Sequence, residues 1–207
     1  MTGRIAIDET APTIAGGWPT KAVVGEVIPV RAVVWREGHD AVAANLAISG
    51  PHQHTRRVRM TPDYQPDVFN GVFTPTAEGN WTYRVEAWSD PIATWRHAVE
   101  VKLAAGQGAD DLANDLESGA RLFERAANKA PRTERHRLLG AAEALRSDTQ
   151  LPGRVAAAFS TEVAELLRVY PLRDLVTRGP AYSVLVERKA ALFSSWYEFF
   201  PDRKSVV

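Results

Sequence analysis

Apolar residues in this 207-residue chain recur at every second position in the first half and at every third or fourth position in the second. This change of period constrains the fold more than any other feature. Alternation builds half-buried strands, and a 3.6-residue spacing builds helices. Composition follows the same divide. Trp18, Trp35, Trp81, Trp88 and Trp95 precede position 100 and only Trp196 follows it, while Ala, Leu and Arg dominate the second half. The shift predicts two domains, 1–105 and 106–201, joined through Ala104-Ala105-Gly106-Gln107-Gly108.

The first half reads as short strands. In the run Val27 to Arg36, Val30, Ala32 and Val34 face one side and Arg31, Val33 and Trp35 the other. Further strands are expected at Ala43 to Ser49, Arg57 to Met60 and Trp81 to Trp88, with Trp81, Tyr83, Val85 and Ala87 on one face. Val68 to Thr74 holds Asn70-Gly71, a strong turn pair, and reads as two strand ends. Ala93 to Leu103 is expected as the last strand. This grammar predicts an all-antiparallel, immunoglobulin-like β-sandwich, with Tyr83 placed as a tyrosine corner.

The second half reads as a small all-α domain. Leu112, Leu116, Ala120, Phe123 and Ala127 fall on one face of a helix opened by Asp110 or Asp111. Leu138, Ala142 and Leu145 mark a second helix, and Val163, Leu166, Leu167 and Tyr170 a third, capped by Thr161. A last helix is expected after Gly179-Pro180, carrying Tyr182, Leu185, Val186, Lys189, Phe193 and Trp196.

Charge and residue usage exclude several function classes. Lys plus Arg (25) balances Asp plus Glu (25), so the basic excess of a dedicated nucleic-acid binder is missing. No cysteine is present, which removes disulfides, thiolate metal sites and Cys nucleophiles and matches a reducing, cytoplasmic setting. No apolar run reaches the ~20 residues of a membrane span. There is no Gly-x-Ser-x-Gly elbow, and Gly16-Gly17 and Gly106-Gln107-Gly108 lack a phosphate-loop frame. No cofactor is expected.

The remaining polar constellations are sparse. His52-Gln53-His54 supplies two imidazoles without a third ligand, which reads as a surface turn. His39 with Asp40 and His97 with Glu100 are candidate acid–base pairs but mark no pocket. Arg56-Arg57 with Arg59, and Arg132, Arg135, His136 and Arg137, read as solvated basic faces. Asp90, Trp95 and Arg96 form the combination of ring, acid and base that suits a sugar, against packing of the indole in a core.

Four strings carry a resemblance that spans nearly the whole chain: Arg36-Glu37-Gly38-His39-Asp40, Val85 to Pro91 followed by Thr94-Trp95-Arg96-His97, Pro171-Leu172-Arg173-Asp174, and Ser194 to Pro201. In these the sequence resembles the N-terminal region of bacterial α-1,4-glucan:maltose-1-phosphate maltosyltransferases. The resemblance implies a β-sandwich and a helical domain preceding a catalytic (β/α)₈ barrel of the α-amylase clan. It also implies a parent enzyme that transfers maltosyl units from α-maltose 1-phosphate to α-1,4-glucan ends. The family's catalytic carboxylates lie on the barrel, and none maps onto this sequence. The six residues 202–207 depart from the family pattern and read as a tail.

The apolar stripes of the first and last expected helices exceed what a small helical core can cover, which makes Leu112, Leu116, Phe123, Leu185 and Phe193 candidate interface residues, and the resemblance independently implies a homodimer through these two domains. Asp90, Trp95 and Arg96 are the candidates for contact with the glucan acceptor, which together with maltose 1-phosphate is otherwise held by the barrel. An independent carbohydrate-binding module is the second reading, and a small enzyme built on His39 or His97 the third.

Overall fold

The computed structural model describes residues 5–51 and 53–193. Two sheets face each other. The first has strand order β1 (Ala6–Ala11), β3 (Ile28–Trp35), β7 (Val68–Phe73) and β6 (Thr61–Pro62). The second runs β2 (Thr20–Val23), β10 (Tyr182–Glu187), β8 (Gly79–Ser89), β4 (Val42–Ser49) and β5 (Arg56–Arg59), with β9 (Asp174–Arg178) paired to the far half of β8. The predicted alternation holds where it is strongest. Val30, Ala32 and Val34 of β3 meet Leu46, Ile48, Trp81, Tyr83, Val85 and Ala87 across the gap between the sheets. The sheet-rich N-terminal part thus fits a β-sandwich.

Between β8 and β9 the chain leaves the sheet for five helices: α1 (Pro91–Ala104), α2 (Ala113–Ala127), α3 (Arg135–Arg146), α4 (Leu151–Ala156) and α5 (Thr161–Val169). They enclose a second core that includes Ile92, Trp95, Val99, Leu116, Phe123, Leu138, Leu145 and Leu172. Trp95 fastens α1 to α2: its indole N–H donates to the Asp115 carbonyl at 2.6 Å and its ring packs edge-on to Phe123. Lys102 adds an ion pair with the Asp115 carboxylate at 2.8 Å. Gly119 permits this approach, because a Cβ there would come within 2.3 Å of the Trp95 ring.

Four expectations are corrected. The segment Ala93 to Leu103 is helix, not strand. Asp90 accepts from the Ala93 N–H, Pro91 occupies the first turn, and Ile92, Trp95 and Val99 are buried at i, i+3 and i+7. The stretch 104–108 therefore joins two helices, and the change from sheet to helix comes at Asp90. The segment after Gly179-Pro180 is strand, not helix: β10 buries Val184 and Val186 and leaves Ser183 and Glu187 outside, so the second half is not wholly helical. The sheets are not all antiparallel, since β10 runs parallel to β2. Asn70-Gly71 makes no turn. It lies within β7 opposite Arg31 and Val30, and a side chain at Gly71 would meet Met60.

Tyr83 does bond through its hydroxyl to a backbone carbonyl, but that of Pro12, far away in sequence. It ties the β1–β2 connection to β8 rather than closing a local corner. Burial, reinforced by Tyr182, pushes its ionisation well above the ordinary tyrosine range.

Candidate functional site

The outer face of the second sheet carries the polar residues that the core rejects. Strand alternation sends Arg57 and Arg59 of β5, Asn45 of β4, and Glu86 and Trp88 of β8 to that side. Register then lines up Arg59, Asn45, Glu86 and Arg178 as one row across four strands. Glu86 is 3% exposed, and its carboxylate meets three guanidiniums: Arg57 at 2.8 Å, Arg178 at 3.3 Å and Arg173 at 3.6 Å. Burial alone would raise the Glu86 pKa. The Arg57 hydrogen bond and the charges of Arg57, Arg178 and Arg173 outweigh it and hold the group below the ordinary carboxylate range.

Trp88 is fully buried beside this row, and two guanidiniums lie over its ring, Arg59 at 4.6 Å and Arg173 at 5.5 Å from the centroid. Arg59 also reaches Asp90 at 3.5 Å, yet its Nη1 is buried without a hydrogen-bond partner among the described residues. Burial draws the Arg59 pKa down. Asp90 opposes the shift and the nearby charge of Arg168 adds to it.

Helices roof this face and leave a cleft of about 630 Å³. Its cations are Arg57, Arg59, Lys129, Arg168 and Arg173, and among the described residues no carboxylate lines it. Tyr170, Val169 and Val176 provide the apolar wall. A smaller cavity of about 180 Å³ adjoins it, sharing Arg59, Arg168 and Pro171 and adding Asp90 and Arg96. Of the basic cluster, Arg56 and Arg57 are exposed as expected, whereas Arg59 is half-buried, and Arg57 and Arg59 share the cleft face. Their i, i+2 spacing in a strand was the signal that both point one way.

The residues named as sugar contacts divide. Asp90 and Arg96 meet in the smaller cavity, where Asp90 caps α1 and the Arg96 guanidinium lies 4.9 Å from the Phe159 ring centroid. Trp95 does not join them. It is 6% exposed within the helical core and offers no ring face for stacking. The candidate interface residues divide likewise. Leu112, Leu116 and Phe123 are fully buried in the chain's own core, Leu185 is half-buried in β10, and Phe193 is 79% exposed. Burial in the chain's own core leaves the first three no surface to offer a partner. His39, Asp40, His97 and Glu100 are exposed, with Asp40 paired to Arg36 at 3.0 Å. His52, Trp196, Tyr197 and Phe200 lie outside the described residues. Among the described residues no group of His, Asp and Glu could hold a metal ion, and no helix is long and apolar enough to cross a membrane.

Three of the four sequence strings converge at the strand-to-helix corner beside the cleft. Arg36 donates to Ser89 Oγ at 2.9 Å, and the Asp90 N–H donates to the Ala41 carbonyl. Thr94 Oγ1 accepts from the Ala41 N–H. From the third string, Leu172 enters the helical core, Arg173 lies over Trp88 and Asp174 pairs with Arg125 at 2.8 Å. The family model for the α-1,4-glucan:maltose-1-phosphate maltosyltransferase domain N/S matches residues 3–188. This chain belongs to the maltosyltransferase N/S-domain family.

Curated maltosyltransferases agree. The Corynebacterium glutamicum α-1,4-glucan:maltose-1-phosphate maltosyltransferase is 52% identical over 97% of this chain. Those of Mycobacterium tuberculosis H37Rv and Streptomyces coelicolor (the second of its two) are 48% and 47% identical over 97% and 96%. The chain spans about a third of their length, 31%, 32% and 30% respectively. In this member of the maltosyltransferase N/S family the three strings thus read as a structural corner: they brace β8, α1 and β9 around the cationic row.

Proposed function

We propose that this chain is the noncatalytic N-terminal part of a cytoplasmic maltosyltransferase, supporting homodimerisation and forming the edge of the acceptor site. The observation that carries the reading is the match to the N/S domain over residues 3–188 in a chain that spans a third of its relatives. In the parent reaction the bond from the maltosyl C1 to phosphate oxygen breaks and a bond from C1 to the acceptor's O4 forms. The acceptor proton is passed on and phosphate leaves. Retaining transfer needs two free carboxylates about 5–5.5 Å apart across the scissile bond. Glu86 and Asp90, the acids beside the cleft, are instead occupied by arginines and by the α1 cap.

Support for association comes from the exposed Leu192 and Phe193 beside β2, which suit a self-complementary contact. The acceptor role rests on Asp90 and Arg96 in the smaller cavity. The test is sedimentation of the purified chain across a dilution series, with phosphate release from α-maltose 1-phosphate measured in parallel. A dimer that weakens in Phe193→Glu, with no phosphate released, is expected. A monomer at high micromolar concentration, or turnover above background, overturns the reading. Binding of malto-oligosaccharide by a monomer would favour the independent carbohydrate-binding module instead.

A further inference from the structure

We propose that the cleft between the outer face of the second sheet and the end of α5 binds a small molecule through a phosphoryl group. The inference stands on the cleft alone and is independent of the parent's reaction.

The charge is unbalanced locally although the chain as a whole is neutral. One carboxylate, Glu86, answers Arg57, Arg173 and Arg178, and Asp90 answers Arg59 at the long distance of 3.5 Å. The partner of Arg168 is Glu165, three residues back on α5, and both side chains are largely exposed. Lys129 projects into the same space from just past the end of α2. Five cations thus line a concave surface on which the described residues present no acid. Like charges so gathered repel one another, and a dianion between them relieves that repulsion while gaining charge-assisted hydrogen bonds.

The shape favours a small ligand. A volume of about 630 Å³ lies within the range of small-molecule sites, roughly 300–1,000 Å³. Arg59 and Arg173 lie over the Trp88 ring at 4.6 and 5.5 Å, and this contact restricts their guanidiniums before a ligand arrives, which suits a tetrahedral oxyanion. Tyr170 and Val169 give an apolar wall for the organic part of an ester.

The experiment is isothermal titration of the 207-residue chain with inorganic phosphate, glucose 6-phosphate and glucose. Both phosphates should bind and glucose should not. Tighter binding of the sugar phosphate identifies an ester as the ligand, and equal binding identifies free phosphate. Lys129→Ala with Arg168→Ala, both at exposed positions whose loss leaves the cores intact, should weaken binding about tenfold or more, with an unchanged far-ultraviolet spectrum. The wild-type affinity should also fall as sodium chloride rises from about 50 to about 300 mM, as expected of an ion-paired ligand. No phosphate binding at millimolar concentration, equal binding of glucose, affinity indifferent to salt, or affinity retained in a folded double variant each overturns the proposal.

Discussion

At the scale of single residues, Gly119 shows why an intrinsic preference does not decide a helix position. Replacing an interior helix glycine by alanine ordinarily gains about 1 kcal/mol. Here the added methyl would strike the Trp95 ring, which is fixed by its bond to the Asp115 carbonyl and by Phe123. Overpacking of that kind costs roughly 1–3 kcal/mol. Gly119→Ala is therefore expected to lower the melting temperature by about 2–4 °C for each kcal/mol of net loss. Gly140→Ala on the open face of α3 provides the control, since nothing lies near its Cβ and it should stabilise. Equal stabilisation by both would show that Trp95 is not held as described.

At the scale of elements, α2 and α3 are joined at the surface by Arg146. It donates to Glu117 at 2.7 Å and to Glu124 at 2.5 Å, while Arg121 also reaches Glu117 at 2.8 Å. Hydrogen bonds from Arg146 and Arg121 lower the Glu117 pKa from 4.5 to about 2. A carboxylate with a depressed folded-state pKa contributes stability above its unfolded value and loses it as pH falls through the folded one. Glu117→Gln should thus be less stable than the parent at neutral pH. The difference should shrink as pH falls from 4.5 to about 2, as followed by urea denaturation at each pH. A difference that persists undiminished at the acid end would mean that Glu117 acts by packing and not by charge.

What was legible in the sequence was whatever one period could express. Trp81, Tyr83, Val85 and Ala87 alternate without competition, and all four are in the sandwich core. The segment after Asp90 carries β-branched and aromatic residues that suit either state, and its stripe is blurred by Val101, an apolar residue left exposed. Its cap, Asp90 followed by Pro91, was the better signal. Tyr182 to Val186 satisfies a helix through Tyr182, Leu185 and Val186 and a strand through Tyr182, Val184 and Val186. The gap that β10 fills between β2 and β8 decides between them. The cleft was less legible still. Arg57 and Arg59 are next to each other in pattern, but Arg168, Arg173 and Lys129 join them only through tertiary structure. Trp88 is buried on the outer face of β8, where the helical layer and not the facing sheet covers it, and alternation within one strand does not reveal that second cover.

At the scale of the whole molecule, the chain leaves the second sheet at Ser89, builds the helical core and returns to finish the sheet it left. Until β10 is placed, β2 has no partner in that sheet and the first half of β8 lacks one neighbour. Closing it brings Val184 opposite Thr20 on one side and Trp81 on the other, and Val184 ends fully buried. Pairing between segments so far apart in sequence is a non-local contact, of the kind that slows folding of a domain as a whole. It also makes β10 a point at which the sandwich can be tested apart from the helices. Val184→Asp would place an unpaired carboxylate between the sheets and should cost at least ~3 kcal/mol. Ser183→Asp, next to it and facing outward, should stay within about 0.5 kcal/mol of the parent. On a helix the two positions would carry no such alternation with Val186. Chemical denaturation monitored by tryptophan emission reads both, because Trp81 is the neighbour of Val184. Similar losses for the two variants would remove β10 from the sheet and return the segment to the helical reading.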